Sequence, residues 1–274
     1  MHRIEDSPLG KSTRYVDRYD PTLLYPVERA PLRGELGIGE ALPFSGWDIW
    51  NAYELSWLNG KGKPRVALAS FHVPADSANI VESKSLKLYL NSFNQTRFPG
   101  DEGEVSAILQ RDLNNAFGGA VEVELRAPSA CRTESFERWD EGCLDELDVE
   151  VDRYAPAPDL LSSGGECVEE SLCSNLLKSN CPITGQPDWA SLRIDYRGPR
   201  IERAGLLRYI VSFRSHGGFH EHCVERIFMD LMARCQPQLL TVYARYARRG
   251  GLDINPFRSS FDAPRPANLR LFRQ

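Results

Sequence analysis

The sequence predicts an α+β protein built from two copies of one module, and three observations carry that prediction. Alternating apolar runs joined by a Gly-rich turn read as a β-hairpin, stripes at helical spacing follow it, and the same order begins again in the second half of the chain.

Residues 1 to 45 contain Pro8, Pro21, Pro26, Pro31 and Pro43 and show no sustained period, so they read as an extended arm that packs on something else. Within them Gly34-Glu35-Leu36-Gly37-Ile38-Gly39 does not make a dinucleotide-binding loop, because the third glycine of that pattern and a preceding strand are missing. Tyr53, Leu55 and Trp57 alternate, Asn59-Gly60-Lys61-Gly62 turns, and Arg65 to Val73 completes the hairpin. Leu86, Tyr89, Leu90 and Phe93 then fall on one helical face. Asp101 is expected to open a second helix with Glu104 as its capping-box partner. Its stripe is Val105, Ile108, Leu109, Leu113, Ala116 and Phe117, and Gly118-Gly119 end it. Val121 to Leu125 and Leu147 to Val151 alternate strictly and read as strands.

The Pro, Gly and Ser of Tyr154 to Glu166 mark the expected linker, dividing an N-terminal module, 1–160, from a C-terminal one, 161–274. After a short helical piece expected over Leu172 to Lys178 and the loop that holds Cys181, the same order begins again. Alternation then predicts strands through Leu192, Ile194 and Tyr196 and through Leu207, Tyr209, Val211 and Phe213. A helix striped by Val224, Ile227, Phe228, Leu231, Met232 and Cys235 follows, closed by Gln236-Pro237, and Leu239 to Ala247 returns as a strand. Trp47, Trp50 and Trp57 are expected in the core, and the acids from Glu134 to Asp152 on a solvated face.

With 274 residues, 42% of them hydrophobic, the chain can bury one large core or two modest ones. No apolar run is long enough for a membrane span and Met1 to Lys11 lacks a signal-peptide core, so a soluble, cytoplasmic protein without a membrane partner is expected. Seven cysteines with no C-x-x-C pair argue against a disulfide framework and against a zinc ribbon. The net charge of -5 is uneven: from Trp189 onward 15 arginines and no lysine face 7 acids. Arginine suits bidentate phosphate contacts, so the C-terminal part is the better place for an anionic ligand, while the acidic whole argues against nucleic acid.

Two features point to chemistry. In Ser179-Asn180-Cys181-Pro182-Ile183-Thr184-Gly185-Gln186-Pro187-Asp188-Trp189 a thiol sits in a loop stiffened by two prolines, with a carboxylate seven positions on. Either Cys181 is a nucleophile and Asp188 carries a proton for what the sulfur attacks, or the first is a small buried hydrophobe and the second a turn residue. Glu82 and Glu221 each stand after a hairpin where a helix starts. A carboxylate there can accept paired hydrogen bonds from the donor edge of a guanine-like base, or can cap the helix.

Glu82-Ser83-Lys84-Ser85-Leu86-Lys87-Leu88-Tyr89, the run Glu170 to Trp189, Phe219-His220-Glu221-His222 and Arg248 to Pro256 together resemble the QueF family of NADPH-dependent 7-cyano-7-deazaguanine reductases, and the likeness extends to Ser7-Pro8-Leu9-Gly10-Lys11. Length and duplication resemble its long, two-module form. The resemblance implies tandem tunnelling-fold (T-fold) modules, each an antiparallel sheet with two helices on one face, active sites at module interfaces and a homodimer. It implies Cys181 as the nucleophile that adds to the nitrile carbon as a thioimidate, Asp188 as proton donor to the nitrile nitrogen, and His220 as substrate contact and proton relay. Glu221 would grip the deazaguanine, Val81, Glu82 and Ser83 would complete its pocket, and Ser83, Lys84, Arg249 and Gly250 would hold NADPH. Two NADPH would be used per nitrile, with the imine between them shielded from water.

Two rivals stand beside this reading. A GTP cyclohydrolase I-like enzyme of the same fold would use zinc, for which Cys181, His220, His222 and Cys223 are the available ligands, although no recognised motif asks for metal. A purine- or tRNA-binding module would keep Glu82, Glu221 and the basic region and leave Cys181 incidental.

Overall fold

A computed structural model of the protein describes residues 15–131 and 136–274, so the Ser7 to Lys11 segment lies outside the described residues. The described chain divides into two compact units. Unit 1 takes residues 15–35, 48–131 and 248–254, and unit 2 takes 36–47, 136–247 and 255–274.

In unit 1 the arm carries β1 (Pro26–Glu28) and α1 (Arg29–Gly34), then come β2 (Ser45–Asn59), β3 (Pro64–Pro74), β4 (Asn79–Val81), α2 (Ser83–Asn91), β5 (Arg97–Phe98), α3 (Asp101–Phe117) and β6 (Glu122–Arg126). Gly62, at φ 82°, donates to the Asn59 carbonyl at 2.8 Å and closes the β2–β3 hairpin, the left-handed turn residue that the sequence asked for. Period-2 alternation sends Trp50, Ala52, Phe71 and Val73 to one face, where they meet Leu86, Tyr89 and Leu90 of α2 and Val105, Leu109, Leu113 and Phe117 of α3 in one buried cluster. Each fully buried apolar side chain of this kind contributes roughly 1.5–3 kcal/mol, so the two helices are held chiefly by this face.

The start of α3 departs from expectation. Gly100 is the N-cap, and its N–H donates to Glu104 Oε2 at 2.7 Å, so Glu104 reaches back to the cap from one position later than a capping box has it. Asp101, at φ 55°, instead accepts from Trp57 Nε1 at 2.9 Å and Arg65 Nε at 3.1 Å and ties the helix start to the hairpin. Gly118 ends the helix at φ 64° as the sequence predicts.

Unit 2 contains β7 (Ser163–Asn180), β8 (Pro187–Ile201), α4 (Arg203–Ser212), α5 (His220–Cys235), β9 (Leu239–Tyr246) and the greater part of β10 (Leu252–Ser259). These strands pair antiparallel in the order β7, β8, β9, β10. Leu206, Tyr209 and Ile210 of α4 and Val224, Ile227, Phe228 and Leu231 of α5 are buried together with Leu192, Ile194, Leu240 and Val242 of the strands. The class is α+β, with antiparallel sheets and two main helices in each unit.

Three local expectations for this half are corrected. Leu172 to Lys178 is strand, because fourteen register pairs with β8 outweigh the weak helical pattern of so short a piece. The run from Leu207 is helix, because Leu206, Tyr209, Ile210 and Phe213 also fall at helical spacing and both periods fit. Glu202 decides it, accepting from the N–H groups of Ala204 at 2.9 Å and Gly205 at 2.5 Å. Leu147 to Val151 keeps its alternation but forms no ladder with any described residue.

The duplication is clearest in hydrogen bonds. Glu82 caps α2 through Lys84 and Ser85 N–H as Glu202 caps α4. Tyr89 donates to Asp112 of α3, Tyr209 to Asp230 of α5, and each tyrosine meets a phenylalanine four residues on at near right angles. Ser92 Oγ receives the Asp20 N–H and Ser212 Oγ that of Ala157; Tyr25 O receives the Glu82 N–H and Ser162 O that of Glu202. The segment Tyr154 to Glu166 is therefore no free linker. It packs on α4 as the arm around Asp20 to Tyr25 packs on α2, with Ala157 and Leu161 buried and β7 starting at Ser163. The repeat also makes Glu202, not Glu221, the counterpart of Glu82, which removes the argument that those two glutamates stand in register.

The arm of unit 2 passes so close to α4 that a Cβ on Gly205 would lie 2.4 Å from the Leu160 carbonyl oxygen. Gly205→Ala is expected to destabilise by about 1–3 kcal/mol through forced backbone movement, seen as a lower thermal midpoint; an unchanged midpoint would show that the arm yields freely. His216, whose carbonyl receives the Asn180 N–H at 2.8 Å, has its pKa lowered by burial to about 4 from an ordinary 6.5. It stays neutral when folded while the unfolded chain protonates, so its contribution is present above pH 6.5 and is lost as pH falls towards 4. The midpoint of His216→Gln should decline less than that of wild type across this window, and parallel declines would refute the assignment.

Candidate active site

The residues singled out by the sequence fall into two groups, one in each unit. In unit 2 they gather at one end of the β7–β8 hairpin. Ser179 pairs with Asp188 and Asn180 with Pro187, so the tip is the six-residue turn from Cys181 to Gln186. Cys181 donates its N–H to Gln186 O at 2.8 Å and accepts from Gly185 N–H at 3.1 Å, with Gly185 at φ 67°. Alternation puts Ser179 and Cys181 on one face of β7, and the register puts Asp188 opposite Ser179. Both candidate side chains are accordingly withdrawn from solvent, at 5% and 6% exposure. The tip is fixed from outside the hairpin too, because Asn180 exchanges backbone hydrogen bonds with His216 and Gly218 just before α5.

That connection brings the start of α5 over the hairpin. His220, the first residue of the helix, points Nε2 at Asp188 Oδ2 across 3.4 Å. Its ring lies flat on Tyr246, with centroids 3.7 Å apart and planes 1° apart, and its Nδ1 is buried without a hydrogen-bond partner among the described residues. Glu221 is buried in the first helical turn, where the helix dipole favours its negative form. Cys223, three residues after His220, is another of the thiols in this unit. Burial pushes its pKa up to about 12 and keeps it protonated, so proximity in sequence to His220 does not make it a nucleophile. The structure thus brings Asp188 and His220 together, on the same hairpin face and helix start that carry Cys181 and Glu221. Among the described residues no three or more His, Cys, Asp or Glu gather as a metal site, and Cys181, His220, His222 and Cys223 make none.

In unit 1, Val81 ends β4 and Glu82, Ser83 and Lys84 open α2. The Glu82 carboxylate accepts from Lys84 N–H at 2.6 Å and Ser85 N–H at 2.9 Å, and its burial raises its pKa against the lowering effect of those two bonds. The capping alternative for Glu82 is therefore realised, while each oxygen keeps further acceptor capacity. Arg249 and Gly250 lie in the turn before β10, closed by the Arg249 N–H to Leu252 O bond of 2.8 Å. Gly250, at φ 57°, leaves bare backbone beside Lys87, whose Nζ would lie 3.3 Å from a Cβ placed there. A cavity of about 280 Å³ opens at this turn, lined by Glu54, Lys87, Asn91, Asn94, Gly250 and Gly251. Arg248 covers the Tyr53 ring at 4.6 Å. Gly250 and Gly251 leave a stretch of bare backbone between the Lys87 ammonium and the Glu54 carboxylate.

Tyr246 and Lys87 were not singled out as site residues. Spacing could not reveal Tyr246, since only strand order brings residue 246 under residue 220, whereas Lys87 lies inside the Glu-Ser-Lys-Ser-Leu-Lys run and was within reach.

Comparison with known proteins agrees with this organisation. Residues 15–125 match the family model described as nitrile reductase, 7-cyano-7-deazaguanine-reductase N-term, and residues 187–265 the one described as QueF-like protein. An NADPH-dependent 7-cyano-7-deazaguanine reductase of Bordetella avium is 59% identical over 272 residues, covering 99% of both chains. Those of Bordetella pertussis and Burkholderia multivorans are each 57% identical over 272 residues, covering 99% and 98% of this chain and 99% of their own. With the motifs, the fold and full-length identity in agreement, the chain belongs to the family of NADPH-dependent 7-cyano-7-deazaguanine reductases.

Proposed function

We infer that the chain reduces the nitrile of 7-cyano-7-deazaguanine to the aminomethyl group, with NADPH as cofactor, in the making of queuosine. The observation that carries the residue assignment is the buried hairpin tip, where Cys181 follows the Ser179–Asp188 pair and Asp188 faces His220 at 3.4 Å.

In this reading the Cys181 sulfur adds to the nitrile carbon as a thiolate, its thiol proton having passed to the Asp188–His220 pair. The proton needed by the nitrile nitrogen comes from Asp188, so the product of addition is a neutral or protonated thioimidate rather than a bare nitrogen anion. His220, within reach of Asp188 through Nε2, contacts the substrate and returns a proton to that carboxylate. The low exposure of Cys181 and Asp188 keeps water from the thioimidate and from the imine left when, after a first hydride has been added to the carbon, the sulfur departs as thiolate. Glu221 accepts from the donor edge of the deazaguanine, and Val81, Glu82 and Ser83 complete recognition, Glu82 using the acceptor capacity left by its cap. Ser83, Lys84, Arg249 and Gly250 hold the cofactor, a role supported by the bare turn at Gly250 beside Lys87. NADPH supplies hydride when bound, and a four-electron reduction asks for two equivalents. The reading includes a homodimer, a cytoplasmic location and no direct binding of nucleic acid, the last supported by the net charge of -5. No helix among the described residues is long and apolar enough to cross a membrane.

Limiting nitrile should consume two NADPH per molecule, followed by the loss of cofactor absorbance, and a ratio of one would overturn the four-electron scheme. Cys181→Ala should lower turnover by about 10³-fold or more while nucleotide binding persists, and a fully active variant would disprove covalent catalysis. For Asp188→Asn, kcat is expected to fall about 10²-fold with NADPH affinity retained, and an unchanged kcat would remove Asp188 from proton transfer.

A further inference from the structure

Beneath the proposed acid and its histidine lies a residue to which nothing above gives a task. Tyr246 ends β9 and is fully buried. Its ring stacks face to face on His220, with centroids 3.7 Å and planes 1° apart. Tyr246 itself is clamped. Its N–H donates to Asn255 Oδ1 at 3.2 Å, its carbonyl accepts from Gln274 Nε2 at 3.0 Å, and Gln274 Nε2 also donates to Asn255 Oδ1 at 2.8 Å. Ladder pairing with Ala190, two residues beyond Asp188, sets its height relative to that carboxylate.

An imidazole at a helix start can swing about its side-chain torsions. Here one nitrogen has only the Asp188 contact at 3.4 Å, and the other has no partner among the described residues, so hydrogen bonds alone do not fix the ring plane. The phenol face does. We propose that Tyr246 is a positioning residue for the reaction, a rigid floor that holds the His220 ring in the plane where Nε2 meets Asp188. This rests on the roles given above to Asp188 and His220. The ring, and not the hydroxyl, carries the function: the hydroxyl lies away by the Cys223 thiol and Ser179.

The test compares Tyr246→Leu, Tyr246→Phe, His220→Ala and the double variant His220→Ala/Tyr246→Leu. Loss of the floor should lower kcat about 10- to 100-fold with the KM for nitrile and for NADPH within about twofold. Phenylalanine should rescue most of that loss, and the double variant should be no slower than His220→Ala, because Tyr246 acts through the histidine. Folded Tyr246→Leu with wild-type kcat, equal damage from phenylalanine, or additive losses would each overturn the proposal. If His220→Ala itself keeps full activity, the role given to His220 fails first, a result distinct from these. Should Tyr246→Leu not fold, the wild-type protein still decides: His220 ring protons, identified by their loss in His220→Ala, should resonate upfield from the stacked phenol, and ordinary shifts would refute the stacking.

Discussion

The ladder between β7 and β8 is the constraint on which the candidate site depends. Its register runs from Ser163 opposite Ile201 to Asn180 opposite Pro187, and because side chains alternate with a period of two, that register decides which of them face α5. Slipping it by one residue would turn Asp188 to the opposite face of the hairpin. The pairing is long, and the irregularities at Gly164–Cys167 and Ser174–Leu177 are absorbed before the tip, so the last pairs are regular where regularity matters. Pro182 and Pro187 then stiffen a turn that already carries two backbone hydrogen bonds.

Around that ladder each unit repeats one device for anchoring its first helix. An arm residue offers a carbonyl to the N–H of a glutamate, and the glutamate carboxylate takes the next two free N–H groups of the helix. Orphan donors at a buried helix start would otherwise cost free energy, which explains why the arm, the glutamate and the serine at the helix end are all kept in both units. Position 85 is a serine that hydrogen-bonds the arm at Tyr25, whereas position 205 is a glycine pressed against Leu160. The first copy so keeps the polar Ser83, Lys84 and Ser85 beside its glutamate, and the second has Arg203, Ala204 and Gly205 there, so the units share a scaffold and differ in chemistry at the same place.

Burial also sorts the thiols. Desolvation raises Cys173 and Cys223 to about 12 and Cys235 to about 11, which holds them as inert protonated groups. Cys181 is distinguished from them by position, at a hairpin tip on the face of Asp188, rather than by exposure.

By itself the sequence determined the α+β class, the β2–β3 hairpin, helices α2, α3 and α5, and the motif residues, because these rest on local period, turn chemistry and short runs whose spacing survives in one dimension. It misread Leu172 to Lys178, Leu207 to Phe213 and Leu147 to Val151, where one apolar pattern fits two periods or lacks a partner strand, and it matched Glu82 with Glu221 where hydrogen bonding matches it with Glu202. Only the tertiary structure decided that Tyr154 to Glu166 is a second arm, that Asp188 meets His220, and that Tyr246 lies beneath that ring. Those contacts join residues 26 to 55 positions apart, and such pairs are set by strand order and packing, of which a linear pattern of residue types carries no trace.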